Sequence, residues 1–107
     1  GVSANISVSN IPVIKGTHEL ISNGIAPGGT MRNLESLSQV AQWENGITEN
    51  QKILLSDAQT SGGLLITVDH KKSKRLLDTL RKNGVQTASI IGDIVESTGS
   101  HKIYVSP

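Results

Sequence analysis

Two periods of apolar residues run along this chain. Ala4-Asn5-Ile6-Ser7-Val8-Ser9 alternates small or apolar with polar positions, the period-two pattern of a half-buried strand with Ala4, Ile6 and Val8 inward. Asn10-Ile11-Pro12 ends it. Val13, Ile14, Thr17, Leu20, Ile21 and Gly24 then recur at spacings of three and four, which predicts a helix opened by Pro12 and stopped at Asn23-Gly24. Gly16 inside that helix weakens it by about 0.5–1 kcal/mol relative to Ala.

Further on, Thr30 is placed to cap a short helix Met31–Leu37. The stretch 38–50 is polar and weakly patterned, a surface connection with Trp43 as its anchor and Glu44-Asn45-Gly46 as a turn. Thr48 is a second cap, for a short helix running to Leu54-Leu55. Leu64-Leu65-Ile66-Thr67-Val68 is short, apolar and partly β-branched, which predicts a buried strand. Asp69 caps the next helix, 70–83, with Leu76, Leu77 and Leu80 on one face and Gly84 just past its end. Residues 87–96 are strand-like, and Gly92 marks a bulge or a close backbone approach. Residues 97–100 form a turn and 102–105 return as the closing strand of a hairpin. The order predicts an α+β fold: a mixed or antiparallel sheet, helices packed mainly on one face, and a ferredoxin-like flavour at the C-terminal end.

Length and composition narrow this picture. At 107 residues the chain is one domain. It has no phenylalanine, one tryptophan and one tyrosine, so its core is aliphatic. A net charge of +1 makes no global case for a nucleic-acid or membrane partner. Six of the ten basic residues lie in one helix (Lys71, Lys72, Lys74, Arg75, Arg81 and Lys82) without the interleaved aromatics that stack on bases, which argues against nucleic acid. No segment has the ~20 apolar residues of a membrane span. The lack of cysteine excludes disulfides, thiolate metal sites and a cysteine nucleophile, and fits a cytoplasmic protein. His18, His70 and His101 are scattered without metal-ligand spacing, and no metal site is expected.

The chemistry concentrates in two glycine-rich segments. Asp57-Ala58-Gln59-Thr60-Ser61-Gly62-Gly63 precedes the apolar run. If Gly62 and Gly63 take positive φ, successive N–H groups converge into a nest that suits an anion, with the Thr60 and Ser61 hydroxyls beside it. Pro27-Gly28-Gly29-Thr30 opens a helix whose free N–H groups also favour an anion. Arg32 in its first turn is unfavourable for the helix but not for a bound anion. The alternative for both is a tight turn with capping hydroxyls. Neither segment has the order of a dinucleotide loop or the Gly-Lys-Ser/Thr end of a P-loop. No nucleophile–base pair or carboxylate pair is present for a self-contained enzyme.

Taken in order, Pro27-Gly28-Gly29-Thr30-Met31-Arg32-Asn33, Asp57-Ala58-Gln59-Thr60-Ser61-Gly62-Gly63-Leu64-Leu65 and Ile91-Gly92-Asp93-Ile94 resemble the C-terminal domain of the selenophosphate synthetases (selenide, water dikinases), within the aminoimidazole-ribotide-synthetase-like superfamily. The resemblance covers nearly the whole chain. It implies that residues 1–107 form the C-terminal domain of a two-domain enzyme that makes selenophosphate from selenide and ATP, releasing AMP and phosphate, with magnesium. It also implies that the reactive Cys or selenocysteine, the catalytic Lys, the magnesium aspartates and most of the ATP site lie in a separate N-terminal domain, through which the full-length protein dimerises. On that reading this chain carries no catalytic residue, holds no cofactor itself and is inactive alone. Gly28, Gly29, Thr30, Asp57, Thr60, Ser61, Gly62 and Gly63 are candidate phosphate or interdomain-cleft residues. Two departures stand out: Ala58 where the family usually has Pro, and no Asp-x-Thr-Gly-Phe-Gly segment. The alternatives are an interaction module whose basic helix meets an acidic partner or RNA, and another ATP enzyme of the same superfamily.

Overall fold

Four short strands make one mixed sheet, in the order β2-β4-β1-β3. The computed structural model describes residues 1–97, 99–100 and 102–107. Thr98 and His101, in the turn expected near 97–101, lie outside the described residues. The strands are β1 (Val2–Ser7), β2 (Ala41–Trp43), β3 (Gly92–Glu96) and β4 (Ile103–Ser106), and the helices are α1 (Thr17–Ser22), α2 (Gly28–Leu37), α3 (Glu49–Leu55) and α4 (His70–Lys82). The α+β class with a mixed sheet is as expected.

β1 is the hub. It pairs antiparallel with β3 and parallel with β4, and β4 pairs parallel with β2. The expected β3–β4 hairpin is therefore absent: the two strands flank β1 on opposite sides. A parallel partner suited β4 because β1 offered an edge on each side, a choice that no local turn signal encodes.

Cross-strand neighbours share a face. One row runs Ala41, Ile103, Ala4, Ile94, and the next runs Trp43, Val105, Ile6, Gly92. Ala41 and Val105 are buried there, Val105 to 2% exposure. Ala4 and Ile6 thus take the expected inward face, while Val8 is buried from a 3-10 turn, Val8–Asn10. β2 lies inside what reads as featureless connection. Three residues are too few for a periodicity signal, and its partner is 62 residues away.

α3 and α4 start where the cap chemistry says. Thr48 and Gln51 form a capping box on α3, with the Thr48 N–H donating to Gln51 Oε1 at 2.8 Å. Asp69 Oδ1 accepts from the Lys71 N–H at 2.9 Å at the start of α4. Gly24, Gly46 and Gly84 take positive φ at the expected turns and helix ends. The helix expected from Pro12 onward starts only at Thr17, because Gly16 sits at φ 91 in the N-cap position. That glycine is a helix boundary, not an interior defect. Ile21 is buried, whereas Ile14 and Leu20 are exposed. α3 packs against both α1 and α2.

The largest departure concerns Leu64–Val68. It is not a strand. Leu64 is 92% and Leu65 76% exposed, and Ile66 and Val68 also face solvent. The strand expected over 87–96 is likewise confined to Gly92–Glu96. Apolar composition makes a strand only where a partner supplies the ladder.

Candidate functional site

The two glycine segments, separated by some 28 residues, meet in the fold. α2 begins three residues earlier than the cap signal suggests, with Pro27 at its N-cap and no side-chain cap. Thr30 is therefore inside the first turn. Its side chain is released from capping and points across to the other segment. The Thr30 hydroxyl accepts from the Ala58 N–H at 3.2 Å and donates to Asp57 Oδ1 at 3.4 Å. Thr30 is wholly buried, at 0% exposure.

One turn further along α2, the Asn33 side-chain amide donates to the Ser56 carbonyl at 3.0 Å. The sequence reading overlooked Asn33 as a positioning residue; its i+3 spacing from Thr30 is the signal that could have found it. Gly29 is required by the same join: a Cβ there would lie 2.9 Å from the Ala58 Cβ. The Arg32 guanidinium lies back along the helix, with Nη2 3.8 Å from that same point. Arg32 thus belongs to the second turn of α2, not the first, and its charge still reaches the glycine end of the helix.

An open pocket of about 540 Å³ results, lined by Asn33, Asp57, Ala58, Gln59, Thr60 and Gly62. Its polar lining is the Asn33 and Gln59 side-chain amides, the Thr60 hydroxyl and the Asp57 carboxylate, with the Asn33 amide and the Ala58 N–H already engaged by Ser56 and Thr30. Of the candidate residues, Asp57, Thr60 and Gly62 line the pocket. Gly29 and Thr30 form its support. Gly28, Ser61 and Gly63 are exposed or open to solvent. The nest geometry is overturned: neither Gly62 nor Gly63 has positive φ. The Gln59 side chain instead folds over Gly62, where a Cβ would meet its Oε1 at 2.7 Å.

Among the described residues, no group of three or more His, Asp or Glu could hold a metal ion. Asp57 is the single carboxylate of the pocket lining. The residues present do not fit a magnesium site of their own. The cations of α4 stand on its exposed side, and Arg81 is committed to its own loop, donating Nε and Nη2 to the Ala88 carbonyl at 3.3 and 3.0 Å. No described helix is long and apolar enough to cross a membrane.

The family model described as AIR synthase related protein, C-terminal domain, matches residues 1–104. The chain is 35% identical over 104 residues to selenide, water dikinase of Aliarcobacter butzleri (strain RM4018), covering 97% of this chain and 30% of that protein. It is 35% identical over 94 residues to the protein of the same name from Clostridioides difficile (strain 630), covering 88% and 27%. With that of Carboxydothermus hydrogenoformans (strain ATCC BAA-161 / DSM 6008 / Z-2901) it shares 37% over 87 residues, covering 81% and 25%. The chain thus spans less than a third of the length of these relatives. By its sequence match over 1–104 and its mixed α+β sheet, the chain belongs to the AIR synthase related family, as a C-terminal domain of that family.

Proposed function

We propose that this chain serves as the C-terminal domain of a selenide, water dikinase, a cytoplasmic enzyme that uses ATP to convert selenide into selenophosphate, releasing AMP and phosphate. The observation that carries the reading is the join of the two glycine segments through Thr30, Asp57 and Ala58, beside an open polar pocket. The names of the similar proteins support it.

In this reading the pocket faces a nucleotide cleft completed by an N-terminal domain, and the full-length protein is a homodimer through that domain. The Gly28 and Gly29 amides, free at the start of α2, and the Thr60 hydroxyl in the pocket lining donate to phosphate oxygens, and Arg32 adds charge from the side. Donors of this kind stabilise developing charge during phosphoryl transfer. On this reading the other domain holds the magnesium; among the described residues of this chain no carboxylate cluster gathers. The 107 residues alone position and shield; they do not catalyse.

The test is a comparison of two preparations. The longer protein carrying this chain should release AMP in a reaction that requires both ATP and selenide, with selenophosphate appearing by phosphorus NMR. The 107-residue chain alone should do neither. ATP turnover indifferent to selenide would overturn the reading.

A further inference from the structure

Three Asn-Gly pairs stand in this chain: Asn23-Gly24, Asn45-Gly46 and Asn83-Gly84. All three pairs are exposed, and the glycines have positive φ, at 74°, 100° and 94°. An Asn before Gly carries an intrinsic reaction. The glycine nitrogen can attack the Asn side chain with no Cβ in the way, and Asn is one of the chemically labile residues. Sequence and exposure make the three pairs equal, but their hydrogen bonds do not.

Asn23 and Asn83 are the C-caps of α1 and α4. The Gly24 N–H donates to the Ile21 carbonyl and the Ile25 N–H to the Leu20 carbonyl, both at 2.9 Å. At the end of α4 the Gly84 N–H donates to the Arg81 carbonyl at 3.1 Å and the Val85 N–H to the Leu80 carbonyl at 3.0 Å. These are the paired bonds of a Schellman end, so the nitrogen that would attack is already bound to a carbonyl. Asn83 is held a second time, its side-chain amide donating to the Thr79 carbonyl at 2.8 Å. Asn45-Gly46 instead forms the centre of a turn between β2 and α3, closed by the Ile47 N–H donating to the Glu44 carbonyl at 3.2 Å. Positive φ at Gly46 but not at Asn45 makes it a type II turn. Among the described residues, neither the Gly46 N–H nor the Asn45 side-chain amide donates a hydrogen bond.

We propose that Asn45 is a modification site: it loses its side-chain amide to attack by the Gly46 nitrogen, while Asn23 and Asn83 are held back by their helix ends. The Gly46 N–H gives its proton to a solvent base and the nitrogen bonds to Asn45 Cγ. The Cγ–Nδ2 bond breaks and ammonia leaves, which closes a cyclic imide. Water then opens the imide. Hydrolysis at Cγ leaves aspartate, and hydrolysis at the main-chain carbonyl leaves isoaspartate, with the chain routed through the side chain. Nothing is oxidised or reduced. The rotation about the Asn45 Cα–C bond that brings the reacting atoms together breaks the one turn bond. The same rotation at Asn23 or Asn83 breaks both bonds of the Schellman pair. Either product adds a negative charge beside Glu44. Isoaspartate also lengthens the backbone between Trp43, which pairs with Val105, and the Thr48 cap of α3.

Incubation of the 107-residue chain in mildly alkaline buffer, followed by peptide mass spectrometry, tests this. Slow hydrogen exchange of the Ser7 amide, bonded to the Ile91 carbonyl at 2.9 Å, reports that the sheet is intact. Amide-to-acid conversion at Asn45 should run at least about fivefold faster than at Asn23 or Asn83. It should give two products of equal mass that separate by chromatography. In concentrated urea the three sites should converge, because the helix ends are gone. Asn45→Gln should abolish the fast conversion and leave the other two sites unchanged. Conversion at Asn23 or Asn83 that keeps pace with Asn45 in native buffer would overturn the proposal. So would a lead for Asn45 that persists unchanged in urea, or a peptide spanning position 45 that converts as fast in the Gln variant as in the wild type.

Discussion

The Ala58 amide donates to the buried Thr30 hydroxyl across 3.2 Å, so one side chain of α2 holds the backbone of a segment 28 residues away. The same hydroxyl reaches Asp57 Oδ1. Replacing Thr30 by Val keeps the volume and leaves the Ala58 N–H without that acceptor, at a cost of about 1–3 kcal/mol. Thr30→Ser keeps both bonds and loses a methyl group, about 1 kcal/mol. Urea denaturation should rank the three proteins wild type, Ser, Val. Equal midpoints for wild type and Val would show that the join contributes nothing to stability.

Two glycines separate close approach from mere loop composition. A Cβ on Gly92 would overlap the Asn5 carbonyl of β1, so Gly92→Ala must push the strands apart. Nothing lies within 4 Å of the corresponding position on Gly63. Gly92→Ala should lower stability by about 1–3 kcal/mol, in line with overpacking. Gly63→Ala should move it by less than about 0.5 kcal/mol. Thermal melts of the two variants decide the matter.

The capping box and the ion pair at the start of α3 offer a second contrast. Thr48→Ala removes the acceptor for the Gln51 N–H and should cost about 1 kcal/mol. Glu49→Gln breaks the 2.6 Å pair with Lys52, but that pair is exposed and one turn long, and should cost no more than about 0.5 kcal/mol. Raising the salt concentration should erase the second effect and leave the first.

Arg32 is exposed, and its guanidinium lies at the glycine end of α2. On the proposed function, Arg32→Ala in a protein that joins this chain to an N-terminal domain should raise the KM for ATP by roughly tenfold with the melting temperature unchanged, the pattern of a lost contact to an anionic substrate. Arg32→Lys should recover part of it. An unchanged KM in the Ala variant would remove Arg32 from the site.

Local chemistry was legible residue by residue. Asp69, Thr48 and the glycines at 24, 46 and 84 announced helix ends and turns, because caps and positive φ are satisfied within a few residues of chain. The inward face of β1 was legible for the same reason: Ala4 and Ile6 alternate with polar neighbours whatever lies beside them. The two glycine-rich motifs were recognisable as markers, since each is contiguous.

Tertiary structure settled the rest. Thr30 looked like a cap and became a tie, because α2 began at Gly28 and placed its hydroxyl next to the Ala58 amide. Asn33 gained a role only when Ser56 came within reach. β4 paired with β1 rather than β3, and β2 became a strand at all, because hydrogen-bond ladders are made between segments distant in sequence. Leu64–Val68 shows the limit from the other side. Its composition asks for a ladder, but composition cannot supply the neighbouring edge, and a strand without a partner is an exposed apolar strap.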